Sequence, residues 1–342
     1  MILSSVNSIQ RFFRSSVPIV LYIIKRMLWM IPVLLIMSFV IFSVISAMPG
    51  DPVNMYMNPE EISNMNPEEL QSLRIMWEKR LGLNDPFFVR FAKWWGTILN
   101  GKFGISVIKN AEVSEFIGSF LFNTFKLNIV GFILAFILAI LIGITAAIKK
   151  NSFFDKFFTC FSIVGISLPS FFIAMILLFL FAIIIRIFPF NGMSDPLQIR
   201  PTWMYYVLPI TVIIITTLAS LVRYVRNAML EVLKQDYIRT ARAKGLAEKI
   251  VLYRHAFRNA LIPVITLMGF YITAVFGGSI IVEKIFVWPG IGYLLNNAYT
   301  FKDRAIITSV SLFFALLTLL GNLFMDVGYA LADPRVRLGR KK

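Results

Sequence analysis

Apolar residues gather along this chain into runs longer than a soluble core helix needs, and charge and proline return only between them. The runs occupy positions 27–48, 124–148, 157–188, 203–222, 263–282 and 305–331. Each is near or above the roughly 20 residues that a helix needs to cross about 30 Å of hydrocarbon. The pattern predicts an all-α integral membrane protein with six transmembrane helices. It divides into an N-terminal segment (1–26), helix 1 (27–48), a polar loop domain (49–122), a core of helices 2–6 (123–331) and a basic tail (332–342).

The first run follows Lys25 and Arg26 and is long for the apolar region of a signal peptide. Ile45 ahead of Ala47 also makes a poor cleavage site, so the run reads as an uncleaved span. The third run is longer than a bilayer demands and contains Pro169, which predicts a kink or a short in-plane segment ahead of the true span. In the second run Gly131, Ala135, Ala139, Gly143 and Ala147 recur every four residues, a stripe of small side chains suited to close helix packing.

Composition agrees: of 342 residues 58% are hydrophobic and 33 are Phe. A net charge of +16 raises the question of nucleic acid, but the placement of the charges answers it differently. If the chain starts inside, segments 1–26, 149–156, 223–262 and 332–342 are cytoplasmic, and they hold 21 Lys and Arg against five Asp and Glu. The 49–122 loop carries seven basic and nine acidic residues. This is the positive-inside asymmetry of a multi-pass protein of the cytoplasmic (inner) membrane with both termini in the cytoplasm.

Candidate chemistry is sparse. Cys160 is the only cysteine and His255 the only histidine, which excludes a disulfide framework and a Cys or His metal cluster. Gly96–Phe103 imitates a phosphate-binding loop, but Phe103 stands where magnesium needs a hydroxyl and no apolar strand precedes it. Lys126 is expected to snorkel outward and Asp326 to reach the cytoplasmic interface. The middles of the spans carry almost no carboxylates, which argues against a self-sufficient secondary transporter and against a membrane enzyme.

The loop 231–262 is too ordered to be a connector. Asp236 is placed to cap a helix from Tyr237 to Lys244, Gly245 to end it in a left-handed turn, and 247–258 to form a second helix. Small Ala241 and Ala243 suit a helix sunk in a partner's groove, with Arg239, Arg242 and Lys244 meeting acidic groups. An amphipathic surface helix on anionic lipid is the alternative from composition alone.

The stretch Tyr237-Ile-Arg-Thr-Ala-Arg-Ala-Lys-Gly-Leu246, followed by His255-Ala-Phe-Arg-Asn-Ala-Leu-Ile-Pro263, resembles the coupling loop of ABC importer permeases of the dipeptide, oligopeptide and nickel branch. Met48-Pro-Gly-Asp-Pro52, Leu81-Gly-Leu-Asn-Asp-Pro86, Ser167-Leu-Pro-Ser170, Val282-Glu-Lys-Ile-Phe-Val-Trp-Pro-Gly-Ile-Gly292 and Asp333-Pro-Arg-Val-Arg337 extend the likeness over about residues 22–338. Against the family's general E-A-A-x-x-x-G signature this chain has Arg239 and Thr240 in the first two places and keeps Ala241 and Gly245.

The resemblance implies a type I ABC importer permease core, with the long loop between helices 1 and 2 outside and the coupling loop between helices 4 and 5 inside. It implies as partners a homologous second permease, two cytoplasmic ATPases that hydrolyse the ATP, and an extracytoplasmic substrate-binding protein. The chain itself is expected to be no enzyme and to hold no cofactor. Its implied ATPase-coupling residues are Asp236, Tyr237, Arg239, Thr240, Ala241, Arg242, Ala243, Lys244, Gly245, His255, Arg258 and Asn259. The 49–122 loop with Trp288, Pro289, Gly290 and Gly292 is the expected contact for the binding protein. The implied cargo is a short peptide, with oligosaccharides or nickel complexes as alternatives.

Overall fold

The computed structural model describes residues 2–57, 62, 65–194, 200–257, 259–260, 264, 271 and 274–332. It describes side chains from Tyr22 to Val327 except Tyr253. Among the described residues there is no strand, only an isolated bridge between Ile105 and Glu112. The chain divides into a larger unit (Met1–Met30, Phe122–Tyr293 and Leu317–Lys342) and a smaller one (Ile31–Leu121 and Leu294–Leu316).

Among the described residues four helical stretches are long and apolar enough to span a membrane: Tyr22–Ser46, Val113–Ile148, Trp203–Leu233 and Arg304–Val327. The first belongs to helix α1 (Ile2–Ser46), and its outward side chains include Trp29, Ile36 and Val44, as a lipid-facing helix requires. The third apolar run is a broken pair: α5 (Phe153–Ser167) and α6 (Ser170–Leu178, continued by a π-helical turn Phe179–Ile184) meet at 102°. Pro169 heads α6, and its missing N–H and locked φ suit a first helical turn and not the middle of a continuous helix. The kink expected at Pro169 is therefore a full right-angle break. Of the fifth run, 264, 271 and 274–282 lie within the described residues, and of these 264, 271, 274–277 and 280–282 are helical.

The smaller unit contains α2 (Pro67–Leu81) and α3 (Phe87–Leu99). The start of α2 is closed where Glu69 accepts from the Asn66 N–H at 3.1 Å, and its end where Gly82 takes φ +64°. Phe39 and Phe42 of α1 pack on Phe87 and Phe91 of α3 with ring centres 5.5–5.7 Å apart, and Trp95 donates to Ser38 Oγ at 3.0 Å. Buried Asp303 accepts from Ser106 Oγ at 2.7 Å and from the backbone N–H groups of Ile108 and Ile306 at 3.1 Å each. The loop expected over 49–122 is thus a folded helical domain, and its last residues already belong to α4 (Val113–Ile148), which starts 11 residues before the apolar run.

In the larger unit α4 packs on α7 (Trp203–Leu233). A Cβ on Gly131 would come within 2.7 Å of Ile213, and one on Gly143 within 2.7 Å of Val225, so glycine is what allows the approach. Ala135, Ala139 and Ala147 on the same stripe are buried. Lys126 lies over the Phe122 ring at 4.3 Å, and Asp326 pairs with Arg26 at 3.0 Å. Sequence did not disclose the pair between Asp155 at the start of α5 and Arg226 of α7, joined by two hydrogen bonds with the carboxylate almost wholly buried.

Candidate functional site

The loop after α7 is built as an extension of that helix. Gln235 N–H bonds to Val232 O at 3.0 Å and Ile238 N–H to Gln235 O at 3.1 Å, so α8 (Asp236–Ala243) follows with no slack. The N-cap is Gln235, one residue before the expected Asp236. The Asp236 side chain instead sits in the first turn, where a negative charge favours the helix dipole.

Two faces of α8 do different things. Ile238 and Ala241, one turn apart, are buried in a cluster with Ala139, Val225, Met229, Val251 and Ala256. Asp236, Tyr237, Arg239, Thr240, Arg242, Ala243 and Lys244 are exposed. This corrects the expectation for Ala241: it packs into its own chain, and Ala243 is the small residue that faces outward. Arg239 approaches Asp236 at 3.7 Å, a weak exposed pair.

Gly245 ends α8 at φ +74°, the left-handed conformation that disfavours a side chain, with its N–H bonded to Arg242 O at 2.9 Å. Across the turn Arg242 grips Glu248 with two bonds, 3.2 Å from Nε and 2.7 Å from Nη2. Arg242 is therefore a staple within the loop and not the free contact expected of it. The guanidinium holds the Glu248 carboxyl below its usual value. The second helix opens at Glu248–Ile250 and widens into a π-helix over Val251–Phe257. Asn259 Nδ2 donates to Tyr237 OH at 3.1 Å and to His255 O at 3.0 Å, tying the end of that helix back to α8. Arg258 lies outside the described residues. Among the described residues no three of His, Cys, Asp and Glu form a metal-binding group.

The segment expected to contact a binding protein is arranged differently. Trp288 is fully buried, its Nε1 donating to Asn123 O at 3.1 Å, while Asn123 Nδ2 donates to Pro289 O at 3.0 Å. Buried Glu283, in the helix Ile280–Ile285, accepts from Thr124 Oγ1 at 2.8 Å and from Tyr293 N–H at 2.9 Å. Thr124 in turn accepts from Ile291 N–H at 2.7 Å. Gly290 and Gly292 are buried and Pro289 half-buried. These residues form a clamp on the α4 helix, because their polar groups are spent on one another, and they offer little free surface. A lone Glu inside an apolar stretch, followed by Gly-x-Gly, was the available signal for this network.

Helices long and apolar enough to cross a membrane, with the short polar helix α8 docked on their core, describe a class of protein, the multi-span membrane permease. The family comparison agrees: a model described as "Binding-protein-dependent transport system inner membrane component" matches residues 139–338, and the corresponding N-terminal model matches 19–128. The chain belongs to this family; it is a transport permease subunit and not an enzyme. It is 39% identical over 319 residues to the "Oligopeptide transport system permease protein AppB" of Bacillus subtilis, covering 92% of this chain and 98% of that one. To the "Glutathione transport system permease protein GsiC" of Salmonella paratyphi A it is 35% identical over 316 residues, covering 92% and 98%.

Proposed function

We propose that this chain is one of two homologous permease subunits of an ATP-driven importer of short peptides, with six spans, cytoplasmic termini and the 231–262 loop seated on a cytoplasmic ATPase. An external binding protein delivers the cargo at the side of the 49–122 domain. The names of the two relatives above support the cargo class, and the charge asymmetry supports the orientation.

The observation that carries the mechanism is the division of α8 into a face buried in its own core (Ile238, Ala241) and an opposite exposed face. A protein core is nearly incompressible, so displacement of α8 is transmitted to α4 and α7. ATP binding closes the ATPases, moves α8 and tilts the spans until the pathway faces outward; hydrolysis resets it. The two ATPase conformations make different contacts with α8, and that difference biases the packing of the spans.

The test is ATP-dependent uptake of a labelled tripeptide by vesicles containing the purified complex, with the intact chain against Ala243→Trp. The bulky ring on the outward face is expected to lower uptake at least about tenfold while the variant still inserts and assembles. Unchanged uptake would remove α8 from the coupling path, and uptake of an oligosaccharide or nickel complex in place of the peptide would reassign the cargo.

A further inference from the structure

We propose that the smaller unit contains an oxyanion-binding site, a cavity of about 340 Å³ walled by α2, α3, the Ser46 end of α1 and the Arg304 end of the helix Arg304–Ala332. Its occupant is a small molecule with a carboxylate or phosphate head and an apolar body.

Charge makes the case first. Lys79, Arg80, Arg90, Lys93 and Arg304 line the cavity against a single carboxylate, Asp85, and that carboxylate is taken by Lys93 at 2.6 Å. Among the described residues no carboxylate forms an ion pair with Lys79, Arg80, Arg90 or Arg304. Four cations gathered around one hollow repel one another, and an anion in the hollow relieves that repulsion.

Unmet hydrogen bonding makes it second. The Nε atoms of Arg90 and of Arg304 are both buried without an acceptor, an arrangement with a desolvation penalty that a bound oxyanion removes. Arg304 is held in place from its other side, where Nη2 donates to Met48 O at 2.7 Å and to Gly50 O at 2.9 Å. Arg80 lies 5.1 Å from the centre of the Trp77 ring and Arg90 5.9 Å from that of Phe87. Those aromatic faces fix the guanidinium groups and leave their in-plane donors for a ligand.

The remaining walls fit the body of such a ligand. Phe42, Trp94 and Phe103 supply apolar surface. Tyr56 adds no negative charge, since burial pushes its phenol up to about 12 and its hydroxyl donates to Ile105 O at 3.0 Å. The volume lies within the range of sites for small molecules. The shared chemistry has two sources: the C-terminal carboxylate of a short peptide, or the phosphate of an anionic lipid reaching in along α1.

Both can be tried on the purified complex in nanodiscs of phosphatidylcholine, using the tripeptide Ala-Ala-Phe, its C-terminal amide, and nanodiscs to which phosphatidylglycerol is added. Arg90→Gln removes a buried donor, and Lys79→Gln removes an exposed charge without risk to folding. For the peptide source, calorimetry is expected to show the acid binding about tenfold or more weakly to either variant, and the amide binding the intact chain no better than the acid binds Arg90→Gln. For the lipid source, native mass spectrometry is expected to show one phosphatidylglycerol retained by the intact chain and lost from both variants, with no preference for peptide acid over amide. If both variants leave both probes bound as tightly as the intact chain does, the site does not exist. Should Arg90→Gln fail to fold, Lys79→Gln alone decides.

Discussion

The α8 helix and the Trp288–Gly292 segment look alike as short, glycine-punctuated stretches with residues suited to touching a partner, yet they are built on opposite principles. In α8 the buried side is made of two small or aliphatic residues, Ile238 and Ala241, and nearly all the polar side chains point outward. In the Trp288 segment the largest side chain is buried, and the neighbouring polar groups of Asn123, Thr124 and Glu283 are consumed by internal hydrogen bonds. The outward side chains of α8 stay exposed even where Arg242 and Tyr237 are tied to Glu248 and Asn259, whereas the clamp buries its polar groups as it spends them. Substitutions in the clamp should therefore show up in stability, and substitutions on the outward face of α8 in transport.

The largest effect is expected from Trp288→Ala. It empties a buried aromatic site and leaves Asn123 O without its indole donor, for a loss of about 3–5 kcal/mol, read as a lower melting temperature of the detergent-solubilised complex. Uptake per folded complex should change little. Gly290→Ala comes next, because its Cβ would lie 2.4 Å from Thr124 Oγ1 and 2.5 Å from a Glu283 carboxylate oxygen. Overpacking of that kind costs about 1–3 kcal/mol. By contrast Ala243→Trp, with its new ring in open surroundings, should move stability by less than about 0.5 kcal/mol while it blocks uptake. A melting temperature that falls as far for Ala243→Trp as for Trp288→Ala would erase the distinction.

The apolar runs that form Tyr22–Ser46, Val113–Ile148, Trp203–Leu233 and Arg304–Val327 were legible because lipid imposes length and hydropathy on every spanning helix. The break at Pro169 was legible as a position but not as an angle of 102°, since the bend depends on what α5 and α6 pack against. The early start of α4 at Val113 was hidden because exposed Ser114, Glu115 and Ser119 interrupt the apolar pattern of its first turns. Contacts between distant positions left no local trace, as with Asp155 and Arg226, or Thr124 and Glu283. The facing of α8 was available in the i, i+3 spacing of Ile238 and Ala241, but two alanines in a basic stretch suggested a partner's groove before the chain's own core.

A small effect is also expected at the Arg242–Glu248 staple. Arg242→Gln removes an exposed pair whose contribution is roughly 0.2–1 kcal/mol, measurable as faster hydrogen exchange or proteolysis at the Gly245 turn. The Glu248 carboxyl is lowered in the folded loop, so the staple acts in full above the ordinary Glu value and is lost as pH falls through the lowered one. The difference between intact chain and variant should accordingly disappear in acid.

The most direct measurement is site-directed cross-linking. With Cys160→Ser removing the native thiol, a cysteine is introduced either at Ala243 or at exposed Val287, and the assembled complex is treated with a short bismaleimide that can capture a cysteine placed on the ATPase surface. Ala243→Cys is expected to give a permease–ATPase adduct whose yield changes when ATP is added, and Val287→Cys to give none. Adduct at 287 with none at 243, or a yield at 243 indifferent to ATP, would contradict a role for α8 as the element that carries ATPase motion into the spans.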